Sequence, residues 1–289
     1  MYKNILVPLD GSKVAEQVIP YARLLANACG AAVTLLRVSG SGVELLFSSS
    51  QSRSAYLEYT AASLQPLPIN SVEKTGNPAE VIVDVAKDDA DCLITMATHG
   101  VTGPGRWFLG SVASKVVQSA ANPLLLIRAV ENATPSEPIA LKRVIVPLDG
   151  SGLAETVLPH VMTLASKLKL QVELVRVYLP PFNAYMVADG VRIDQGSAQV
   201  RKQLHEESEK YLDGKVAELR ANRLDAVSAV VVEGDAANEI IGLATNSSQT
   251  MIAMSTHGRS GIGRWVLGSV AEKVVQHSRA PVLLIRAKG

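Results

Sequence analysis

Two short runs in the chain carry the residue types that could do chemistry, and each run occurs twice. The first is Asp10-Gly11-Ser12, repeated as Asp149-Gly150-Ser151. A carboxylate ending an apolar run can accept from a ribose hydroxyl or a base amino group, or hold a metal through water. It can equally cap the following helix together with the serine. The second run ends on Gly110-Ser111-Val112, preceded by nine residues and by Ala97-Thr98-His99-Gly100. Its counterpart is Ser255-Thr256-His257-Gly258, nine residues, then Gly268-Ser269-Val270. Glycines let backbone approach a phosphate closely, and a helix opened by Ser111 or Ser269 offers free N–H groups to an anion. The serine hydroxyl adds one donor.

Other residues in these loops invite sharper readings. His99 and His257 titrate near neutrality, yet no Cys or carboxylate stands at matching positions, so both read as turn histidines. Arg106 and Arg264 either lean over phosphates or are solvated cations. Trp107 and Trp265, with Leu109 and Leu267, read as anchors buried under the loop. The spacings of a P-loop (Gly-x4-Gly-Lys-Ser/Thr) and of a dinucleotide fingerprint (Gly-x-Gly-x-x-Gly) are both absent. No general base is identifiable, so any hydrolysis at these loops is expected to be slow.

The elements that must position these residues follow from an internal repeat. Residues 3–38 align without gaps on 142–177, with 17 of 36 positions identical. Residues 92–128 align on 250–286 with 23 of 37 identical. The offset grows from 139 to 158, so the second copy carries 19 extra residues in its middle (158 − 139). A period this long means two domains, since solenoid units run to only ~20–50 residues. The boundaries are expected at 1–130 and 140–289, around the linker-like stretch 131–138.

Within each copy, short apolar runs alternate with helical patterns. Asn4–Leu9, Ala32–Val38, Asp91–Ala97 and Pro123–Arg128 read as buried strands, with counterparts at Arg143–Leu148, Gln171–Val177, Thr250–Ser255 and Pro281–Arg286. Further strands are expected at Ser71–Lys74 and Ala226–Glu233. Ser12 and Ser151 are placed to cap helices over Ala15–Ala28 and Ala154–Leu168. The second copy has a long charged helix over Gln199–Arg220. The first shows only Ser54–Leu64, after a Ser/Gly-rich stretch at Ser39–Ser52 that reads as a mobile loop, the alternative being a remodelled site rim. Near-continuous apolar strands alternating with helices predict an α/β fold, each copy a five-stranded parallel sheet with helices on both faces. Ligands then bind beyond the carboxyl ends of the strands, where strand order reverses.

Composition narrows the classes. The net charge of +1 argues against a nucleic-acid partner, and no apolar run reaches the roughly 18 residues that span a membrane. The first residues carry an apolar stretch too short for a signal peptide and broken by Pro8. A cytoplasmic location is expected. Cys29 and Cys92 match no metal-ligand spacing and read as small buried hydrophobes.

These motifs resemble the universal stress protein family, over both halves almost end to end. The family's nucleotide motif is a Gly, two residues, a Gly, nine residues, then Gly-Ser or Gly-Thr. Gly100, Gly110 and Ser111 match it, as do Gly258, Gly268 and Ser269; Ala97 and Ser255 replace the first glycine. Members that bind ATP approach the ribose there, so these side chains crowd the site, and being small they weaken it at most. The resemblance also implies Rossmann-like domains of the adenine nucleotide alpha hydrolase kind, with Asp10 and Asp149 in the site. The backbone of Val38 and Val177 would meet adenine, and Pro8, Val112, Pro147 and Val270 would complete the two pockets. The ligand so implied is ATP, ADP or AMP, with Mg²⁺ a possible companion.

The apolar last strands need a partner. Family members commonly dimerise through this strand, so pairing within the chain as a pseudo-dimer is expected, with a further homodimer as a second expectation. Three functions follow: a stress-response nucleotide-binding module, a scaffold of the same fold with one or both sites empty, and a slow ATPase. If one site has failed, the first is expected to be that one, because its middle region is shorter.

Overall fold

The computed structural model of the protein describes residues 1–40, 50–98, 109–129, 139–179, 184–187, 190–193, 195–245, 247, 249–256 and 267–287. The apolar run Asn4–Leu9 forms β1, and its neighbour Ala32–Ser39 forms β2, in parallel register with Leu6 opposite Thr34. Between them the chain turns through a 3₁₀ segment, Ala15–Val18, and helix α1, Ile19–Cys29. The expected single helix is therefore broken in two. The second copy breaks at the same place, into α5 (Gly152–Glu155) and α6 (Leu158–Leu168). Pro20 and Pro159 sit in the first turn of the longer piece, where a missing N–H costs nothing, but neither can bond back into the turn before it.

The first half continues through α2 (Ser50–Leu64), β3 (Ile69–Thr75), α3 (Pro78–Lys87), β4 (Cys92–Ala97), α4 (Ser111–Ser119) and β5 (Leu124–Ile127). The second half is built likewise from β6 (Arg143–Pro147), α5, α6 and β7 (Gln171–Tyr178). An antiparallel pair follows, β8 (Ala184–Val187) with β9 (Gly190–Ile193), then α7 (Gln195–Ala221). The rest is β10 (Val227–Glu233), α8 (Ala236–Thr245), β11 (Thr250–Ser255), α9 (Ser269–His277) and β12 (Val282–Ile285).

Ten of these strands make one sheet in the order β10-β7-β6-β11-β12-β5-β4-β1-β2-β3. Each half contributes five parallel strands, and the halves meet where β12 runs antiparallel to β5, with Leu283 opposite Leu125. Both leucines are almost fully buried. The terminal strands that would otherwise expose apolar edges thus cover each other.

One apolar cluster lies on each face of the sheet, and each contains residues of both halves. Side chains alternate between faces along a strand. Val33 and Leu35 face one cluster, and Leu36 and Val38 the other. Helices α1, α2, α6 and α7 cover the first face; α3, α4, α8 and α9 cover the second.

The middle helices of the two copies are the same element. Tyr56-Leu57 and Tyr211-Leu212 occupy equivalent places, as do Leu64 and Leu219, and all four leucines are buried. The offset here is 155, so 16 of the extra residues precede this point (155 − 139) and three follow it (158 − 155). The expected loop at Ser39–Ser52 falls mostly on 41–49, outside the described residues, and the helix begins at Ser50. No helix among the described residues is long and apolar enough to cross a membrane.

Candidate functional site

In each half the strand order reverses between the first and fourth strands, β1 beside β4 and β6 beside β11. At the carboxyl edge of the second reversal is a recess of about 120 Å³. Pro147, Asp149, Val177, Ser255, Gly268, Ser269 and Val270 all line it. These are seven of the eight residues expected in that site; Gly258 lies outside the described residues, as do Gly100, both loop histidines, Arg106, Arg264 and both tryptophans. The equivalent residues of the first half, Pro8, Asp10, Val38, Ala97, Gly110, Ser111 and Val112, stand on the matching strand tips and helix start.

The turn after the first strand is built identically twice. Asp10 Oδ1 accepts from Ser12 N at 2.9 Å and from Ser12 Oγ at 2.6 Å. Asp149 Oδ1 accepts from Ser151 N and Oγ at 2.9 and 2.7 Å. The serine oxygens in turn accept from Ala15 N and Ala154 N. Gly11 and Gly150 adopt φ of 88° and 86°, a left-handed conformation that other L residues enter at a cost. In both copies the aspartate organises the turn through Oδ1, and Asp149 lines the recess.

The second expected feature is equally regular. Gly110 N donates to Thr98 O at 2.8 Å, and Gly268 N donates to Thr256 O at 2.8 Å. That bond ties the start of α4 or α9 to the end of the fourth strand. Both helices have glycine at the N-cap with no side-chain cap. Their first turns, beginning at the exposed Ser111 and Ser269, keep donors and the positive end of the helix dipole for an outside acceptor.

Ala97 and Ser255, which replace the glycine, are buried at 7% and 6% exposure, and Ser255 lines the recess. The floor comes from residues the motif reading passed over, chiefly Val175, Ile240 and Met254. Met254 is identical to Met96 in the repeat, a signal that was available.

A second set of residues beside the turn belongs to no motif. Arg37 lies over the Tyr56 ring at 5.1 Å, and Arg176 over Tyr211 at 4.8 Å. The Arg37 guanidinium also packs on the Asp10-Gly11-Ser12 turn, 3.5 Å from where a Cβ on Gly11 would sit. Tyr211 Oη donates to Glu155 at 2.8 Å, and Lys215 Nζ donates to the other Glu155 oxygen at 2.8 Å. Burial works to raise the Glu155 pKa, but its bonds to Lys215 and Tyr211 outweigh that and hold it below the usual range. Arg37/Arg176 and Glu16/Glu155 are identical pairs in the repeat. Among the described residues no three His, Cys, Asp or Glu side chains come together as a metal site.

The sequence profile of the Universal stress protein family matches residues 1–128 and 140–286. The chain belongs to this family. It is similar to a universal stress protein of Methanocaldococcus jannaschii, 27% identical over 145 residues, covering 50% of this chain and 82% of that one. A universal stress protein of Mycobacterium tuberculosis is 26% identical over 221 residues, 76% of this chain and 70% of that one. Among solved structures, a functionally unknown protein of Pseudomonas aeruginosa superposes with a TM-score of 0.73 at 16% identity, covering 99% of this chain and 93% of its own. A universal stress protein of Archaeoglobus fulgidus gives 0.62 at 17% identity, with 98% and 96% covered. At these identities the structural likeness speaks for the fold: two universal stress protein folds in one chain.

Proposed function

We propose that this universal stress protein binds an adenine nucleotide of the ATP type in each half, at the carboxyl edge of the sheet. Its two domains, 1–130 and 140–289, then act as a dimer made from one polypeptide. The observation that carries the reading is the recess where Pro147, Asp149, Val177, Ser255, Gly268, Ser269 and Val270 converge. Its chemistry suits the ligand. An apolar floor takes a flat base, the Asp149 carboxylate accepts from base or ribose, and the uncapped start of α9 receives phosphate. The first half would do the same with Pro8, Asp10, Val38, Ala97, Gly110, Ser111 and Val112. Mg²⁺, if it enters, would come held by the phosphates. Pairing of β5 with β12 supports the pseudo-dimer.

A second reading, a scaffold with empty sites that acts through protein contacts, draws on Ala97 and Ser255, whose buried side chains take space that the family's glycine leaves open. Equilibrium binding of ATP and AMP to the purified chain separates the two: saturable binding favours the first, none favours the scaffold.

A further inference from the structure

The two halves hold the aspartate turn differently: Lys215 and Gly152 of the second half stand where the first has Thr60 and Lys13. In the second half, Asp149 binds Ser151, and Ser151 caps α5. The last residue of α5 is Glu155, which the middle helix α7 grips from two positions one turn apart, Tyr211 and Lys215. The Lys215 and Glu155 side chains are only 19% and 27% exposed, so water screens the pair less than at an open surface. Lys215 also pairs with Glu218 of its own helix, which fixes its direction.

The first half keeps most of these parts and lacks the lysine. Tyr56 stands where Tyr211 does, so Thr60 stands where Lys215 does (Tyr56 + 4, Tyr211 + 4). Thr60 is 3% exposed and spends its hydroxyl on the Tyr56 carbonyl of its own helix. Glu16, the equivalent of Glu155, pairs instead with Lys13 in its own turn at 2.8 Å. Tyr56 Oη is buried, and Glu16 lies near enough to raise its pKa behind the larger effect of burial. In the first half Arg37 bridges the turn and the Tyr56 ring. Asp10 is exposed where Asp149 is half-buried.

We propose that Lys215 is a positioning residue: through Glu155 it fixes the Asp149-Gly150-Ser151 turn in its binding shape, and the second half binds nucleotide more tightly than the first. This rests on the nucleotide reading above. A turn already held in its bound shape pays less ordering cost when ligand arrives. Lys215 acts on the turn and not on phosphate.

The test uses the full chain with one site blocked. Gly110→Asp leaves the second site and Gly268→Asp the first; both positions have negative φ and suit an N-cap aspartate, whose charge repels phosphate. ATP and AMP are titrated into each. The chain with Gly110→Asp is expected to bind both more tightly than the chain with Gly268→Asp. Adding Lys215→Thr to Gly110→Asp should weaken ATP and AMP by the same factor, about fivefold or more, and Lys215→Arg should restore both. Unchanged affinities, or a loss that grows from AMP to ATP as direct attraction to phosphate demands, would overturn the proposal. Hydrogen exchange without nucleotide separates its failure from that of the nucleotide reading. Lys215→Thr should speed exchange at the Ser151 and Ala154 amides; unaltered exchange refutes the clamp whatever binds. Faster exchange with no titratable site in any chain refutes the nucleotide reading, and the affinity claim with it.

Discussion

Arg128, just beyond β5, donates through Nη1 to the carbonyl of His277 at the end of α9, 3.2 Å away in the other half of the chain. Arg286, just beyond β12, returns the bond to Ala120 at the end of α4, at 3.0 Å. The last carbonyls of a helix lack intrahelical partners and carry partial negative charge, so a guanidinium there satisfies both needs. Each helix that opens at a candidate phosphate site is therefore capped at its far end by the opposite half. Arg286→Ala or Arg128→Ala should lower the stability of the whole chain by about 1.5 kcal/mol each, the scale of a charged hydrogen bond. Denaturant unfolding measures it; no change for either variant would mean the caps are replaced by water.

The strand junction should be more sensitive. Leu125 and Leu283 face each other across β5 and β12 with about 1% exposure or less. Leu125→Ala leaves a cavity where the halves join and should cost about 2–5 kcal/mol. Circular dichroism melts of the variant should show one transition at lower temperature. An unchanged melting temperature would contradict the packing described.

Stability should also respond to pH through one interhalf contact. Tyr2 Oη and His160 Nδ1 share a hydrogen bond of 2.6 Å, and burial pushes the His160 pKa from its ordinary 6.5 down to about 4. Between these values the unfolded chain takes up a proton that the folded chain refuses, so stability rises with pH there. The contribution is complete above about pH 6.5 and is lost as pH falls towards 4. His160→Gln, which cannot titrate, should flatten the stability profile in that window. A profile of unchanged slope would refute the assignment.

Much of this was legible in the residues. Val7-Pro8-Leu9-Asp10 against Val146-Pro147-Leu148-Asp149 marks both first strands and both turns, because a strand buried on two faces must be apolar throughout. The strand tips carry the candidate residues for the same reason, since the apolar run ends where the ligand edge begins. The break at Pro20 and Pro159 was harder to see: proline is acceptable in a first turn, and nothing local says that a new helix starts there. The equivalence of Tyr56 and Tyr211 was hidden by the 16 extra residues before it, which removes any gap-free alignment. Lys215 and Glu155, 60 positions apart, are joined only by the packing of α7 beside α5. No spacing rule reaches that far.

The replaced glycine makes a prediction of opposite signs. Ser255 is buried beside the recess, and its side chain takes up room at the strand tip. Ser255→Gly should tighten ATP binding in the second half about threefold, while costing about 0.5–1 kcal/mol of stability through added backbone freedom. Weaker binding in the glycine variant would show that the serine hydroxyl contacts the ligand.

The most direct test of the central claim is calorimetric titration of the purified chain with ATP and Mg²⁺, repeated with Gly110→Asp and Gly268→Asp. Two sites per chain, one lost with each variant, is the predicted result. No heat, and no displacement of ATP by ADP or AMP, would contradict it and leave a universal stress protein that works by its protein contacts alone.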